Sequence, residues 1–360
     1  MSRWPSPSSR GRSPASSTAP STPSPAMSGP DQNEGPVDEF DWIRRCLMPL
    51  AGAPEALGLL DDAAVVPSRP GFDLVITKDA LVEGVHFLPD DPLDGVAGKL
   101  IRVNLSDLAA KGAEPYGYLL ATAWPKGTGW APREAFARGL AEDQQRFGLT
   151  LLGGDTVSTP GPFVVSLTLL GWVPQGGMVR RSGARPGDVV LVSGTIGDGW
   201  LGLKAAQGGL AELSTEDRAW LAGRYRKPEP RLALASALKG HATAAADVSD
   251  GLIADAGRIA IASDIAVELD LEHAPLSEPA ARWLAGQGDR DAGLLALAAG
   301  GDDYEVVCTA RESCADALVQ AAAEAGVRLV RIGRVGAGQG VETRLNGRLV
   351  TPERAGYRHG

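Results

Sequence analysis

An α/β or α+β architecture in two blocks is what this chain predicts, from three observations. Strand-like apolar runs alternate with helix-like segments from residue 38 to residue 332. A PQGG break at 174–177 interrupts the alternation near mid-chain. The 360 residues are enough for two domains, and no short-period repeat is visible.

The elements follow in order. Residues 38–50 read as an amphipathic helix with Phe40, Ile43, Leu47 and Leu50 on one side. Strands are expected at 63–66 and 73–77, and a helix at 99–111 closed by Gly112. A second helix is expected at 132–147, with strands at 149–152 and 164–172. Beyond the break, RSGARPGD (181–188) is a turn, 189–193 a strand, and GTIGDG (194–199) leads into a helix from about Trp200. Further helices are expected at 228–239, 251–262 and 312–325, and strands at 264–269, 304–309 and 327–332. This divides the chain into a tail (1–35), a first domain (36–173) and a second (174–360).

The tail differs in kind. Ser and Pro fill 17 of its first 30 positions, too little apolar surface to offset ordering entropy, so disorder is expected. It has no apolar h-region for a secretory signal. Its Ser/Arg-rich, acid-poor composition is also that of a transit peptide, but the prolines would break the amphipathic helix. A translation start near Met27 is the preferred expectation.

Composition excludes several classes. The first 30 residues carry three Arg and no acid, which leaves 32 basic against 44 acidic side chains in the remainder. No basic face for nucleic acid is expected from such a balance. No apolar run reaches membrane-spanning length, so no membrane partner is expected. Cys46, Cys308 and Cys314 lack CxxC spacing and suit a reducing, cytoplasmic setting. The histidines His86, His241, His273 and His359 are scattered, which weakens a zinc site.

Aspartates in short, glycine-flanked motifs are the main functional signal. They stand in GLLDDAA (Asp61, Asp62), TKDALVEGVHF (Asp79), NLSDLAAKG (Asp107), LLGGDT (Asp155), DVSDG (Asp247, Asp250) and GGDDYE (Asp302, Asp303). Carboxylates gathered in one site repel unless cations bind between them, and Mg²⁺ held by a few carboxylates usually also holds substrate phosphates. Thr77 and Asp79 are expected just past a strand, and Asp155 after a strand and two glycines that would let phosphate approach the backbone. Asp107 shares a helical stripe with Asn104 and Lys111. Ser249 or Asp250 is a candidate N-cap, and the same helix start attracts phosphate. Each motif alone also reads as an ordinary turn, cap or solvated face. GTIGDG reads best as a strand-to-helix turn; no P-loop or protein-kinase motif set occurs.

As an ordered set these motifs resemble the thiamine-monophosphate kinase family. The resemblance covers about residues 38–359 and rests on DDAA, TxD…LVEGVHF, NLSDLAAKGAxP, GGDT, RSGAxPGD, DxSDG, GG(E/D)DYE and the terminal GYxH. The wider superfamily includes aminoimidazole ribonucleotide synthetase, selenophosphate synthetase and a hydrogenase-maturation protein. The resemblance implies the two-domain aminoimidazole ribonucleotide synthetase-like fold. Its N-terminal sheet pairs across a homodimer, and a C-terminal α/β domain lies beside it with ATP between. It implies several Mg²⁺ ions at Asp62, Thr77, Lys78 (through its backbone), Asp79, Asp107, Asp155, Asp247 and Asp250. It implies nucleotide contacts from Gly154, Asp155, Arg181 and Ser249, and thiamine-phosphate contacts from His86, Asp302 and Tyr357. Among these, Asp107, Asp155 and Asp250 carry the catalytic assignment. The chain departs from the family pattern at Lys78, where Thr is usual, at Leu60, where Gly is common, and at Asp302, where Glu is usual.

The activity so implied is ATP-dependent phosphorylation of thiamine monophosphate to thiamine diphosphate. The acceptor phosphate has a second pKa of about 6, so it is largely ionised at neutral pH and no general base is required. Alignment and charge neutralisation remain as the work of the protein. Three other readings start from the same residues: another ATP-dependent enzyme of the superfamily, a metal-dependent phosphatase, and a non-catalytic acidic scaffold that binds divalent cations.

Overall fold

Two sheets divide the chain. The first has four strands, β1 (Phe72–Val82), β2 (Glu114–Pro125), β3 (Leu151–Thr159) and β4 (Val164–Pro174), in the order β1-β4-β2-β3. The β1–β4 and β4–β2 pairs are antiparallel and β2–β3 is parallel. A parallel pair needs a long crossover, which helix α3 (Trp130–Phe147) supplies. This computed structural model describes residues 37–357, so the expectations for residues 1–35, Met27 and His359 lie outside the described residues.

Strand alternation gives the first sheet two unlike faces. Val75, Leu81, Leu120, Leu167 and Leu169 point inward onto α3 and onto helix α2 (Leu93–Ala110), where they meet Phe136, Leu140, Ile101 and Leu105. On the opposite face Leu74, Ile76, Leu119 and Val157 are exposed, Ile76 by 60%.

The second sheet has seven strands in the order β11-β10-β7-β9-β5-β8-β6. They are β5 (Asp188–Ser193), β6 (Ala242–Val248), β7 (Ala266–Asp270), β8 (Glu305–Arg311), β9 (Leu329–Gly336), β10 (Gly340–Leu345) and β11 (Arg348–Val350). Helices cover both faces, so β5 reads as a continuous apolar run. Val190 and Val192 pack with α4 (Asp198–Ala206), α5 (Thr215–Arg226), α7 (Leu252–Ser263), α8 (Glu278–Ala285) and α9 (Arg290–Ala299). Val189 and Leu191 pack with α6 (Ala235–His241) and α10 (Glu312–Glu324).

Helix α2 joins the two halves. A helix apolar on every side belongs in an interior, and α2 is buried along nearly its whole length. Its polar groups reach different elements. Arg102 makes a bidentate pair with Asp143 on α3 (2.7 and 2.8 Å) and donates to the Pro228 carbonyl (3.3 Å). Lys111, its C-cap, donates to the Ala245 carbonyl on β6 (2.7 Å). Gly112, at φ 71°, ends the helix as its sequence position predicts.

Several elements differ from expectation. Residues 38–50 form an α-turn, α1 (Glu39–Trp42), then a π-turn and a 3₁₀ turn; the buried anchor is Trp42, and Phe40 is 71% exposed. Residues 63–66 are not a strand. β1 runs on to Val82, so Asp79 lies inside a strand and not past its end. β3 starts at Leu151, so Gly153, Gly154 and Asp155 also lie inside a strand. Residues 228–239 hold a short 3₁₀ turn and α6 instead of one helix. At α7 the N-cap position falls to Gly251 with no side-chain cap, and Asp255 instead accepts the Ser249 and Asp250 N–H groups (both 3.0 Å). Among the described residues no helix is long and apolar enough to cross a membrane.

The Arg102–Asp143 pair is almost fully buried, with side chains 4% and 1% exposed. Removing one partner leaves an uncompensated interior charge, so Asp143→Ala is expected to lower stability by about 3 kcal/mol in denaturant titration. A change within 0.5 kcal/mol would mean that Glu229 and the Pro228 carbonyl suffice to hold Arg102.

Candidate functional site

Five segments converge on one cavity of about 410 Å³ between the two sheets. β1 and the turn after it bring Asp79 and His86, α2 brings Asp107, and the segment before β5 brings Arg181. The end of β6 brings Asp247, the β6–α7 loop brings Ser249 and Asp250, and the segment before β8 brings Asp302 and Tyr304. Tyr357 closes the set, held where its N–H donates to the Asp250 carbonyl (2.9 Å).

The carboxylates here feel one another. Burial, then Asp107 and Asp250, push the Asp79 carboxyl up to about 6. Burial, then Asp107, Asp255 and Asp79, raise Asp247 well above the ordinary range, against the pull of Lys111. Burial and the neighbouring Arg181 bring Lys111 down to about 8, while Asp247 and Asp107 oppose the fall. Thr77 donates to Asp107. Arg258 pairs with both Asp250 and Asp255. The Arg181 Nε is buried without a hydrogen-bond partner, an unusual state for a guanidinium and one that an anion would relieve.

Individual side chains are held with care. Val82 donates its backbone N–H to His86 Nδ1 (3.1 Å), which fixes a neutral imidazole with its proton on Nε2. Asp302 and Tyr304 sit at φ 67° and 51°, and the latter is a rare conformation for a bulky residue. Backbone bonds from Asp302 to the Ser249 carbonyl and from Tyr304 to the Val248 carbonyl (both 2.8 Å) hold them there. Asp303 turns away, fully buried, and accepts the Gly197 and Gly199 N–H groups (2.8 and 2.9 Å). GTIGDG is thereby a braced turn into α4.

Not every expected residue reaches this cavity. Lys78 points to the other face of its sheet, where its amine donates to Ser166 Oγ (2.8 Å). Asp62, Gly154 and Asp155 line a second cavity of about 710 Å³ along β3, with Asp61. Register explains the separation. Asp79 lines up with Leu167, Leu120 and Gly154 across β1, β4, β2 and β3. At ~4.8 Å per strand, these two edges lie roughly 14 Å apart. Asp155 also projects from the opposite face to Asp79. Gly154 has no room for a side chain, since a Cβ would stand 1.8 Å from the Leu120 carbonyl oxygen.

Lys99, Trp200, Arg258 and Tyr304 were not anticipated. Of these only Lys99 carries a sequence signal, as a charge inside the apolar stretch 96–101.

The donor set suits a hard cation shared with phosphate. Among the described residues no three carboxylates, imidazoles or thiols form a ready cage. Mg²⁺ fits such a site, because it needs only one or two carboxylates when substrate phosphates complete its shell. Asp79, Asp107 and Asp247 are the carboxylates most crowded together, and ionising them without a cation costs stability. The Asp79 carboxyl titrates near 3.8 in an ordinary setting and near 6 here, so the folded chain holds the extra proton between these values. The stability tied to that proton is full at low pH and lost as pH rises through about 6. In EDTA, Asp79→Asn is expected to melt a few degrees above the parent at pH 8, by ~2 kcal/mol, and level with it below pH 4. Equal melting at pH 8 would show that Asp79 is not strained.

The chain is similar to known proteins over most of its length. The family of AIR synthase related protein N-terminal domains matches residues 60–173, and that of the C-terminal domains matches residues 185–346. Thiamine-monophosphate kinase of Caulobacter vibrioides is 56% identical over 95% of this chain and 100% of its own length. The crystal structure of thiamine-monophosphate kinase from Stenotrophomonas maltophilia K279a superposes with a TM-score of 0.75 at 37% identity, covering 86% of this chain and 96% of that one. The structure of AaThiL complexed with AMPPCP and TMP superposes with a TM-score of 0.71 at 30% identity, covering 83% and 91%. The chain belongs to the thiamine-monophosphate kinase family of AIR synthase related proteins.

Proposed function

We propose that this protein transfers the γ-phosphoryl group of ATP to the phosphate of thiamine monophosphate, giving ADP and thiamine diphosphate. One observation carries the reading. A single cavity combines five carboxylates (Asp79, Asp107, Asp247, Asp250, Asp302) with an Arg181 guanidinium and an aromatic wall of Trp200, Tyr304 and Tyr357. The acidic part suits phosphates that arrive with cations, and the aromatic part suits a flat heterocycle. The family's relatives carry this activity in their names, and a family member has been solved with AMPPCP and TMP.

In this reading Asp79, Asp107, Asp247 and Asp250, with Thr77 and the Lys78 backbone, hold Mg²⁺. The ion supplies charge neutralisation of the phosphates. Arg181 and Ser249 orient the nucleotide, Arg181 by its fork of N–H groups. His86, through its Nε2–H, with Asp302 and Tyr357, orients the acceptor. No residue need abstract a proton, because the acceptor oxygen is already ionised.

Asp62, Gly154 and Asp155 enter the same reading through a second copy of the chain. The exposed face bearing Ile76, Leu119 and Val157 is the surface proposed for it, an apolar patch left exposed among the described residues. A two-fold axis along the strands lays β3 of one copy opposite β1 of the other. That arrangement brings Asp155 of a second copy to the outer side of β1, the strand that carries Asp79. The halves 36–173 and 174–360 are then the dimerising and the capping portions. Cytoplasmic location is proposed with support from three free cysteines, Cys46, Cys308 and Cys314.

The decisive assay incubates the full chain with Mg-ATP, with and without thiamine monophosphate, and identifies the thiamine product by mass. Thiamine diphosphate in step with ADP is the expected result; phosphate released without ATP would point to a phosphatase. Asp107→Asn is expected to cut turnover by about two orders of magnitude or more with an unchanged melting temperature. A near-parental rate would remove Asp107 from the site. Ile76→Lys is expected to convert a dimer into a monomer in light scattering, and a dimer that persists would move the interface elsewhere.

A further inference from the structure

Lys99 is the most deeply buried amine near the cavity, its side chain 2% exposed in the middle of α2. A buried lysine is costly unless every N–H is matched. Here three partners stand around the three N–H donors of an ammonium. Nζ donates to the His86 carbonyl at 3.0 Å, lies 3.5 Å from Asp302 Oδ1, and sits 3.7 Å over the Tyr225 ring. Tyr225, on α5, donates its own hydroxyl to the same His86 carbonyl at 3.2 Å. Tyr304 donates to Asp302 Oδ1 at 3.3 Å. Burial lowers the Lys99 pKa, and Asp302 and then Asp91 pull it back up.

These contacts join distant parts of the chain on one side of the cavity. His86 lies after β1, Asp302 lies before β8, and their sequence positions are far apart. The His86 imidazole is fixed at one edge by the Val82 N–H, and its backbone is fixed by Lys99 and Tyr225. We propose that Lys99 is a positioning residue for the acceptor substrate: its ammonium ties the His86 backbone to the Asp302 carboxylate and sets the spacing of the two groups. Tyr225 is its support, a ring beneath the charge and a second bond to the same carbonyl. The inference rests on the reading that His86 and Asp302 contact thiamine monophosphate. Lys99 itself does not line the cavity, so its effect is on where those groups stand and not on the reacting atoms.

The test separates acceptor from nucleotide. Lys99→Met keeps an unbranched chain one atom shorter and removes its charge, and Asp302, 30% exposed, can turn to water. The KM for thiamine monophosphate is expected to rise about tenfold while the KM for ATP changes by less than about twofold. Tyr225→Phe keeps the ring and loses one hydrogen bond, with an expected rise of about threefold in the same KM alone. Unchanged acceptor KM in both variants would overturn the inference. So would equal rises in both KM values, which would mark Lys99 as a general packing residue. Failure of the functional reading appears elsewhere, in a parent protein that forms no thiamine diphosphate; that result removes both claims. A parent that turns over beside variants of unchanged acceptor KM removes only this one.

Discussion

The burial of α2 is the constraint on which the remaining structure depends. A helix that packs against β1 and β4 on one side and β6 and β8 on the other cannot shift without disturbing both sheets. Its apolar residues supply the burial, but they do not by themselves choose one position along the groove. The polar residues do. Lys99, Arg102, Ser106 and Lys111 each reach a different partner element, and each bond is satisfied at only one register. Asp107 is thereby delivered to the cavity by a helix that is pinned at both ends.

The site is built against its own electrostatics. Asp79 and Asp247 are raised by burial and by their acidic neighbours, so the folded chain stores unfavourable energy in its cavity. Strained groups of this kind persist only where surrounding packing over-determines them. β1 fixes Asp79 in a ladder, α2 fixes Asp107, and Asp255 holds the 249–250 backbone. Local conformation follows the same rule at Asp302 and Tyr304, whose left-handed backbones are each bonded to β6 or the loop after it.

Some of this was legible in the sequence. The Gly112 stop, the 189–193 strand and the polar stripe of α2 followed from local rules that tertiary packing left alone. Nine of the residues named from the motifs line one cavity, some on regular elements, such as Asp79 and Asp107, and others on the loops those elements position. Strand limits were not legible. Asp disfavours strands, so Asp79 and Asp155 looked like residues beyond a strand end, but here an edge position and an open face accommodate them. Nor could a motif state which face of a sheet Asp155 would take, since that depends on register with β2. Lys99 and Arg258 acquire their roles only from long-range packing, and sequence spacing does not encode it.

Three of the basic residues around the cavity differ in how freely they can give up their partners. Lys99 is sealed, and its bonds to His86 and Asp302 form part of the folded core. Lys111 is held by the Ala245 carbonyl, and burial and Arg181 lower its pKa to about 8. Arg258 is 37% exposed and pairs with Asp250 on the cavity wall, where water competes for its guanidinium. A permanent partner sets distances; an exchangeable one keeps a carboxylate neutralised until something else does so. Asp250 therefore has an exchangeable partner, while Asp247 is more deeply buried and is raised by its acidic neighbours. The two aspartates therefore differ in setting: Asp247 is buried near the end of β6, and Asp250 lies on the loop after it, paired with Arg258.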